Sequence, residues 1–396
     1  MDANKSVQQL ALPLLPALSA NAACQAFLLV VLPSLGRDLG FNPLETGLLL
    51  GSAALLLIIF APIWGGISEK TGRKRVIMIG LAAAALASVL MASVIALRLN
   101  GTLERVPTLM LLFIVRACQS MLGAGLLPAA QAWIADHTTP ENRAQGMGLL
   151  GASYGVGGII GAGVAFAVGG SHPIGALGGL TVFILLGFYP VYAAVFDRPE
   201  IASLDASRLA RIDIRPFMSN LAITFIGVAV YAIMQHVTAL RLEDAMKLSR
   251  AEAISQAGAA LMGAATTMVL AQTLGVAMLK SPPRQLILAG AGIGALSLIA
   301  VTFAASPTVL LTALFLMGGA LGMLLPGNLA LISIKAGMAA QGRAAGINAV
   351  AQGLAMAAGP VAGAALHRLS PQAPGYLSAI AMFVALIICL NTKGKS

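Results

Sequence analysis

Arg116 is the residue whose type and position point to the most specific chemistry. It is the only charged residue well inside a long apolar stretch, residues 106–135. If that stretch spans a membrane, a central guanidinium costs roughly 2.5–3.5 kcal/mol on insertion scales and must face a cavity or a partner. Because guanidinium groups bind carboxylates through two parallel hydrogen bonds, we predict that Arg116 contacts substrate or lies on a proton path. The alternative is a structural arginine that donates to carbonyls of neighbouring helices.

Uncharged polar residues inside the other apolar stretches come mostly in pairs, three or four positions apart. This spacing places both members of a pair on one face of a helix. A single pair is more often a hydrogen bond between helices than a ligand contact, but several such pairs favour a shared polar cavity. The predicted cavity residues are Asn21, Gln25, Arg116, Gln119, Tyr154, Tyr231, Gln235, Asn328, Asn348 and Gln352.

Few residues are candidates for carrying a proton. His236 is the only histidine well inside an apolar stretch, and an imidazole titrates near neutral pH. Asp38 and Glu45 flank the first predicted turn and are the next candidates, followed by Arg116. A hydrogen-bonded structural role is the alternative for His236. The histidines are far apart and no carboxylate pair lies inside a stretch, so we expect no metal, no cofactor and no enzymatic activity.

The composition indicates the environment of these residues. The chain has 396 residues, 58% of them hydrophobic and only 10% charged, with 44 glycines, and its mean hydropathy is +0.90. Soluble domains carry about 25% charged residues, so most of this surface must face the lipid bilayer. The net charge of +10 is spread over short loops, which argues against a nucleic-acid partner and is typical of membrane proteins.

The apolar stretches predict twelve transmembrane helices, since one span needs about 20 apolar residues. They cover residues 6–36, 46–68, 76–97, 106–135, 144–196, 216–240, 253–279, 285–334, 344–366 and 369–392. Two stretches, 144–196 and 285–334, are long enough for two spans each. Lys and Arg are concentrated on the side of the two termini, so we expect both termini in the cytoplasm and the chain in a bacterial-type inner membrane.

The two halves of the chain resemble each other. Pro128, followed by Arg143-Ala-Gln-Gly, recurs as Pro326, followed by Arg343-Ala-Ala-Gly. An internal repeat of six spans is typical of transporters whose site lies between two bundles near the membrane midplane. We expect an all-α, monomeric membrane protein. Its predicted units are a six-helix bundle at 1–196, a cytoplasmic linker at 197–215 and a six-helix bundle at 216–396.

The loop between the second and third predicted spans carries a recognisable motif. Residues 65–75 read Gly-Gly-Ile-Ser-Glu-Lys-Thr-Gly-Arg-Lys-Arg. This resembles the signature loop of the major facilitator superfamily, Gly-x-x-x-Asp-Arg-x-Gly-Arg-Arg, with Glu69 in place of Asp and Lys70 in place of the first Arg. The resemblance implies two pseudo-symmetric six-helix bundles that transport a small molecule by alternating access.

Two further segments are similar to motifs of the proton-coupled drug exporters in this superfamily. Arg116-x-x-Gln119, with Pro128 and Asp136, resembles their fourth-helix motif, although Ser120 replaces a Gly. The fifth span carries Gly151, Gly155, Gly157, Gly161 and Gly163 and resembles their Gly-rich helix, although Ala162 stands where they have Pro. In the resembled fold, helices one, four, seven and ten line the cavity, with helix eleven beside them.

The signature loop is predicted to form a conformational latch with the end of the fourth span. Its members are Gly65, Glu69, Gly72, Arg73 and Asp136. Gly72 permits a tight reversal, and Asp136 is positioned to pair with Arg73. Glu69 is a favourable acceptor for helix-end amides or an arginine. The alternative is that the cations of this loop only set the topology.

These observations predict a secondary transporter that exports a small organic molecule in exchange for protons. Because no carboxylate lies in the predicted cavity, we expect a neutral or anionic substrate, such as a metabolite, a drug or a siderophore. A proton-coupled uptake symporter of the same fold is the alternative. An ATP-driven pump would need a nucleotide domain, and the terminal Gly394-Lys395-Ser396 lacks the first Gly of a phosphate-binding loop.

Overall fold

Among the residues that the structure describes, twelve helices are long and apolar enough to cross a membrane, as predicted. The computed structural model describes residues 7–138, 140–196, 214–275 and 281–391, and only the backbone of 140–144, 274–275 and 337–343. A short helical turn, Val7–Ala11, precedes the spans. The spans are α1 Leu15–Asp38, α2 Pro43–Thr71, α3 Arg73–Leu99, α4 Arg105–His137, α5 Gln145–Gly169, α6 Pro173–Ala194, α7 Arg215–Asp244, α8 Arg250–Thr273, α9 Pro283–Phe303, α10 Pro307–Ala336, α11 Ala344–His367 and α12 Ala373–Asn391.

Side-chain caps start α2 and α8 at equivalent places in the two halves. The Asn42 side chain accepts from the backbone N–H of Glu45, whose carboxylate accepts from the N–H of Asn42. Ser249 and Glu252 repeat this arrangement at α8. The first N–H groups of a helix have no partner within it, so reciprocal caps define both starting points. Between α2 and α3, Gly72 has a φ of 97°, which makes the reversal there specific for glycine.

Helices within each half approach closely at glycines. A Cβ at Gly161 of α5 would collide with the carbonyl oxygen of Ala23 in α1, and one at Gly359 of α11 would collide with Ala232 in α7. Lipid provides no hydrophobic force between helices, so such close backbone contacts stabilise the bundle. The pairs α1–α5 and α7–α11 are equivalent under the repeat, and the structure is therefore two pseudo-symmetric six-helix bundles.

The two bundles meet along the pairs α2–α11 and α5–α8, which are also equivalent. A Cβ at Gly47 of α2 would lie 2.7 Å from the carbonyl oxygen of Pro360 in α11. A Cβ at Gly258 of α8 would lie 2.8 Å from the carbonyl oxygen of Ala162 in α5. Backbone therefore touches backbone at both contacts between the halves.

The fourth span is interrupted where the sequence predicts one continuous helix. It consists of the segments Arg105–Gly123 and Leu126–His137. Pro128 explains the break, because a proline has no N–H and its ring clashes with the carbonyl four residues earlier, here that of Ala124. The fifth span ends in a π-helical turn, Ala165–Gly169.

Helical backbone joins the tenth and eleventh spans, from Pro307 to His367. Asn328 and Asn348 nevertheless bond to the same Thr224 hydroxyl, at 2.9 Å and 2.6 Å. Residues 20 apart on a straight helix would be about 30 Å apart, so the chain reverses between them. The predicted linker 197–215 lies outside the described residues except at its last two positions.

The close contact at Gly161 makes a specific prediction about stability. Gly161→Ala should destabilise the protein by roughly 1–3 kcal/mol, because α1 and α5 must move apart to admit a methyl group. Thermal unfolding of the purified protein in detergent measures this effect.

Gly158 provides the matched control on the same helix, because a Cβ there meets no atom within 4 Å. Gly158→Ala should leave the midpoint unchanged or raise it, since alanine is the better helix former. Equal midpoints for the two variants would contradict the close α1–α5 contact.

Candidate functional site

Arg116 is buried in α4, only 5% exposed, and links that helix to α1. Its Nη1 donates to Oε1 of Gln119 at 2.5 Å, and its Nη2 donates to Oε1 of Gln25 at 3.1 Å. Its Nε is buried without a hydrogen bond. Among the described residues, no carboxylate pairs with this guanidinium. Arg116 is therefore a buried cation whose hydrogen bonds go only to neutral amides.

Asn21 and Tyr154 extend this group towards α5. Asn21 is buried on the same face of α1 as Gln25, and its side chain faces the Tyr154 hydroxyl. Five predicted cavity residues thus come together between α1, α4 and α5. This group, called the Arg116 cluster, consists of Asn21, Gln25, Arg116, Gln119 and Tyr154.

Asn328 and Asn348 belong to a different polar network in the second half. Asn220 donates to Oδ1 of Asn328 at 2.7 Å, and Asn328 donates to the Thr224 hydroxyl, which donates to Asn348. Lys335 Nζ donates to Oδ1 of Asn220 at 2.6 Å. The network fastens α7, α10 and α11 to one another. The sequence analysis did not single out Asn220, Thr224 or Lys335. The available signal was a polar residue inside an apolar stretch, or directly after one in the case of Lys335.

The remaining predicted residues of α7 and α11 are not hydrogen-bonded to either group. Gln235 and His236 are buried, and neither Oε1 of Gln235 nor either ring nitrogen of His236 has a well-placed hydrogen-bonding partner among the described residues. His236 lies beside the backbone of Pro43. Tyr231 is half-buried and Gln352 is exposed. Their pairing by sequence spacing therefore does not bring them to the Arg116 cluster.

The signature loop shows part of the predicted latch. Arg73 Nε lies 3.2 Å from Oδ2 of Asp136, and its Nη1 donates to the Ser68 hydroxyl at 2.7 Å. Glu69 is exposed and makes no ion pair with the described residues, so it does not join the pair as predicted. Gly65 has open space around it. The Arg73–Asp136 ion pair ties the loop to α4 within the first half.

Two predicted proton acceptors at the other face are held by arginines. Asp38 pairs with Arg250, and Glu45 pairs with Arg105 while its other oxygen caps α2. The Asp38–Arg250 pair joins α1 of the first half to α8 of the second.

Asp38 is one member of a larger group of charges where α1, α7, α8 and α11 meet. Arg37 donates to Glu243 at 2.9 Å and to both oxygens of Asp244 at 2.7 Å, and Nε2 of His367 lies 2.8 Å from Oδ2 of Asp244. This group, called the seam cluster, comprises Arg37, Asp38, Glu243, Asp244, Arg250 and His367. Sequence reasoning missed Glu243 and Asp244 because it ended the seventh span at residue 240, whereas α7 continues to Asp244.

Arg241 lies one residue past the predicted stretch 216–240, but it belongs to α7. It is buried in α7, and its Nη2 donates to the carbonyl oxygen of Thr302 at 2.7 Å. It therefore caps the end of α9. Arg116 and Arg241 are both buried cations, but Arg241 bonds to helix-end carbonyls and Arg116 to side-chain amides.

Two hollows lie elsewhere on the described residues. A hollow of about 280 Å³ lies between α5 and α8 beside Ser171 and Glu252, and another of about 340 Å³ lies between α3 and α6. Neither is lined by a member of the Arg116 cluster. Within the described ranges, no three His, Cys, Asp or Glu side chains are grouped to hold a metal ion.

The Arg73–Asp136 pair predicts non-additive effects of mutation. Arg73→Ala and Asp136→Ala should together destabilise the protein by less than the sum of their separate effects. The difference should be roughly 0.2–1 kcal/mol, as for partly exposed pairs. The measurement is a double-mutant cycle of unfolding free energies in mixed micelles.

Glu69 and Arg75 provide matched controls, because both are exposed and unpaired among the described residues. Glu69→Ala should add simply to Arg73→Ala, and Arg75→Ala should add simply to Asp136→Ala. Additivity of Arg73→Ala with Asp136→Ala would show that the ion pair contributes nothing.

Comparison with known sequences identifies the family. The profile of the Major Facilitator Superfamily matches residues 14–278 and 217–393. The tetracycline resistance protein of class G from Vibrio anguillarum is 34% identical over 171 residues, which are 42% of this chain and 39% of that protein. The class D protein from Salmonella ordonez is 27% identical over 322 residues, 80% of this chain and 78% of that protein. The class G match thus spans less than half of that relative.

Solved structures share the fold at low sequence identity. The human organic anion transporter MFSD10 (TETRAN) has a TM-score of 0.69 at 16% identity, over 98% of this chain and 100% of that one. The D-xylose-proton symporter has a TM-score of 0.74 at 16% identity, over 96% of both chains. With the twelve spans, the signature loop and the profile match, these findings show that the chain belongs to the major facilitator superfamily of transporters and resembles its drug:proton antiporter branch.

Proposed function

We propose that this transporter exports a small neutral or anionic organic molecule in exchange for protons. The observation that carries the proposal is the Arg116 cluster. It places a buried guanidinium and several amides between α1, α4 and α5, with no carboxylate of the described residues paired to the charge. Arg116 is the substrate-binding residue, with Asn21, Gln25, Gln119 and Tyr154 around it.

The chemistry of the cluster favours an anionic or carbonyl-bearing group as ligand. A buried charge without a counter-charge is costly, and a carboxylate binds a guanidinium more strongly than an amide oxygen does. Gln25 and Gln119 each turn an oxygen towards Arg116, which leaves their NH₂ groups as donors to a substrate. A cationic substrate would find no opposite charge here.

The relatives support export, and the fold is compatible with uptake. Two proteins named for tetracycline resistance match this chain, the class H protein over 33% of it and the class D protein over 80%. These matches favour drug efflux. The organic anion transporter of the same fold is in line with an anionic substrate. Because a proton symporter also shares the fold, proton-coupled uptake is the second candidate. A siderophore is a further candidate for the anionic substrate.

The arrangement in the membrane follows from the loop charges. We place both termini in the cytoplasm of a bacterial-type cell and the seam cluster on the outer face. The working units are the bundles 1–196 and 216–396 with the linker 197–215 between them, in a monomer. Tyr231, Gln235 and Gln352 are assigned to the second wall of the pathway. Asn328 and Asn348 are assigned to the network that holds α7, α10 and α11 together, and Gly65, Gly72, Arg73 and Asp136 to the latch on the inner face.

Export that is driven by the proton gradient predicts how much substrate cells accumulate. Cells that express the protein should accumulate less of it than cells that lack the gene, and an uncoupler should abolish the difference. The measurement is uptake of labelled drugs, organic acids and siderophores, each with and without the uncoupler. Higher accumulation on expression would contradict export and establish uptake.

The role of Arg116 predicts a loss of binding that is specific to that side chain. Arg116→Ala should weaken binding of an anionic substrate by about 10- to 100-fold, because a hydrogen bond to a charged group contributes roughly 1.5–3 kcal/mol. Arg116→Lys should rescue little, since an ammonium cannot reproduce two parallel hydrogen bonds. The readout is protection of the purified protein from heat by increasing substrate.

Arg75→Ala is the matched control, because it removes an exposed arginine outside the cluster. It should retain wild-type protection. Equal protection of Arg116→Ala and wild type would refute the assignment of Arg116 to the binding site.

A further inference from the structure

Most contacts of the seam cluster join the two halves of the protein. Arg37 and Asp38 end α1, whereas Glu243 and Asp244 end α7, Arg250 starts α8, and His367 ends α11. Across the seam, Arg37 binds both α7 carboxylates, Asp38 binds Arg250, and the Ser34 hydroxyl donates to Glu243. The cluster therefore holds this face of the transporter closed.

Each α7 carboxylate also has a partner within its own half. Glu243 lies 3.7 Å from Nε of Arg250, and Asp244 lies 2.8 Å from Nε2 of His367. If the halves separate here, five charges lose a partner: Arg37, Asp38, Glu243, Asp244 and Arg250. Glu243 and Arg250 keep each other. Asp244 instead exchanges a bidentate arginine for a histidine that is neutral unless it takes up a proton.

His367 is well placed to respond to this exchange. Its side chain is only 3% exposed, and its Nδ1 is buried without a hydrogen bond. In the closed arrangement, Arg37 and His367 approach the same oxygen of Asp244. The fixed charge of Arg37 satisfies that carboxylate and repels an imidazolium. Once Arg37 leaves, protonation of His367 restores an ion pair to Asp244.

The other charged groups near His367 do not replace Arg37. Arg241 of α7 is engaged by the carbonyl oxygens of Thr302 and Ala304 and moves with the same half. His236 of α7 also lies within electrostatic reach. Arg368, next to His367, is exposed, and Glu45 of α2 pairs with Arg105. Arg37 is thus the charge near His367 that opening of the seam removes.

We propose that His367 is a proton-binding site coupled to opening of the seam. Its Nδ1 is unprotonated while Arg37 holds Asp244, and it takes a proton from the aqueous phase when the halves part. Closure returns Arg37 to Asp244 and expels that proton. Because the open state binds the proton more tightly, acid on this face favours opening. The proposal rests on the proposed proton coupling and locates one step of it.

The experiment measures opening of the seam directly, without substrate. Spin labels are placed at Thr102→Cys and Ala305→Cys, two exposed positions in equivalent turns of the two halves and outside the cluster. Cys24, Cys118 and Cys389 are replaced by alanine beforehand. Distances between the labels in nanodiscs are measured by pulsed electron paramagnetic resonance between pH 8 and pH 5.5.

The wild type should shift towards the longer distance as the pH falls, with the ratio of open to closed protein changing by about threefold or more. Such a change requires proton affinities that differ only modestly between the states, since one pKa unit corresponds to tenfold. His367→Gln, whose amide can still donate to Asp244, should remove the shift. Arg37→Gln should raise the open fraction at pH 8.

His172→Gln is the matched control, because His172 is an exposed histidine in the turn between α5 and α6, outside the cluster. It should shift with pH like the wild type. The proposal would be overturned if the label distances of the wild type did not change with pH. It would also be overturned if those of His367→Gln changed with pH as in the wild type. These outcomes do not depend on transport, so failure of the export assay with a His367-dependent shift would leave the proton site standing and the proposed function wrong.

Discussion

The absence of water inside a bilayer is the constraint on which the rest of this structure depends. Every backbone N–H and C=O within the membrane must find its partner in the protein, so the chain forms helices and places its caps at the membrane faces. Buried polar side chains also need partners within the protein, and Arg241 donates to a carbonyl oxygen at the end of α9. Arg116 and Arg241 each leave Nε without a hydrogen bond, but the other donors of Arg116 bind side-chain amides, whereas those of Arg241 bind backbone carbonyls.

The two halves repeat in backbone and differ in polar content. Equivalent helices are capped alike and touch at equivalent glycines. In the first half, however, the buried polar side chains gather around a charge. In the second half, Asn220, Asn328 and Asn348 satisfy one another through Thr224. The two halves thus share a backbone fold, while side-chain amides bind a buried guanidinium in the first half and bond to one another in the second.

The sequence predicts the helices well because an apolar span is a property of consecutive residues. The loop motif predicts the Arg73–Asp136 pair. The spacing of the polar residues and the order of the helices predict that Gln25 and Arg116 line the same cavity. The sequence fails where the answer depends on helix ends and on neighbours distant in sequence. Glu243 and Asp244 lie just past the predicted end of α7. Hydropathy does not show whether a helix continues into polar residues. Spacing likewise cannot tell that Asn348 turns towards Thr224 while Gln352 remains exposed.

The glycine contacts between the halves have a mechanical consequence. At Gly47 against Pro360, and at Gly258 against Ala162, one helix backbone rests on a carbonyl oxygen of the other, while side chains such as Ile58 against Gly353 pack elsewhere along the same contacts. At the glycine contacts themselves, a small rotation of one helix over the other requires no change of side-chain rotamer. We therefore expect the two bundles to rock about these two lines, so that a displacement at one face gives an opposite displacement at the other.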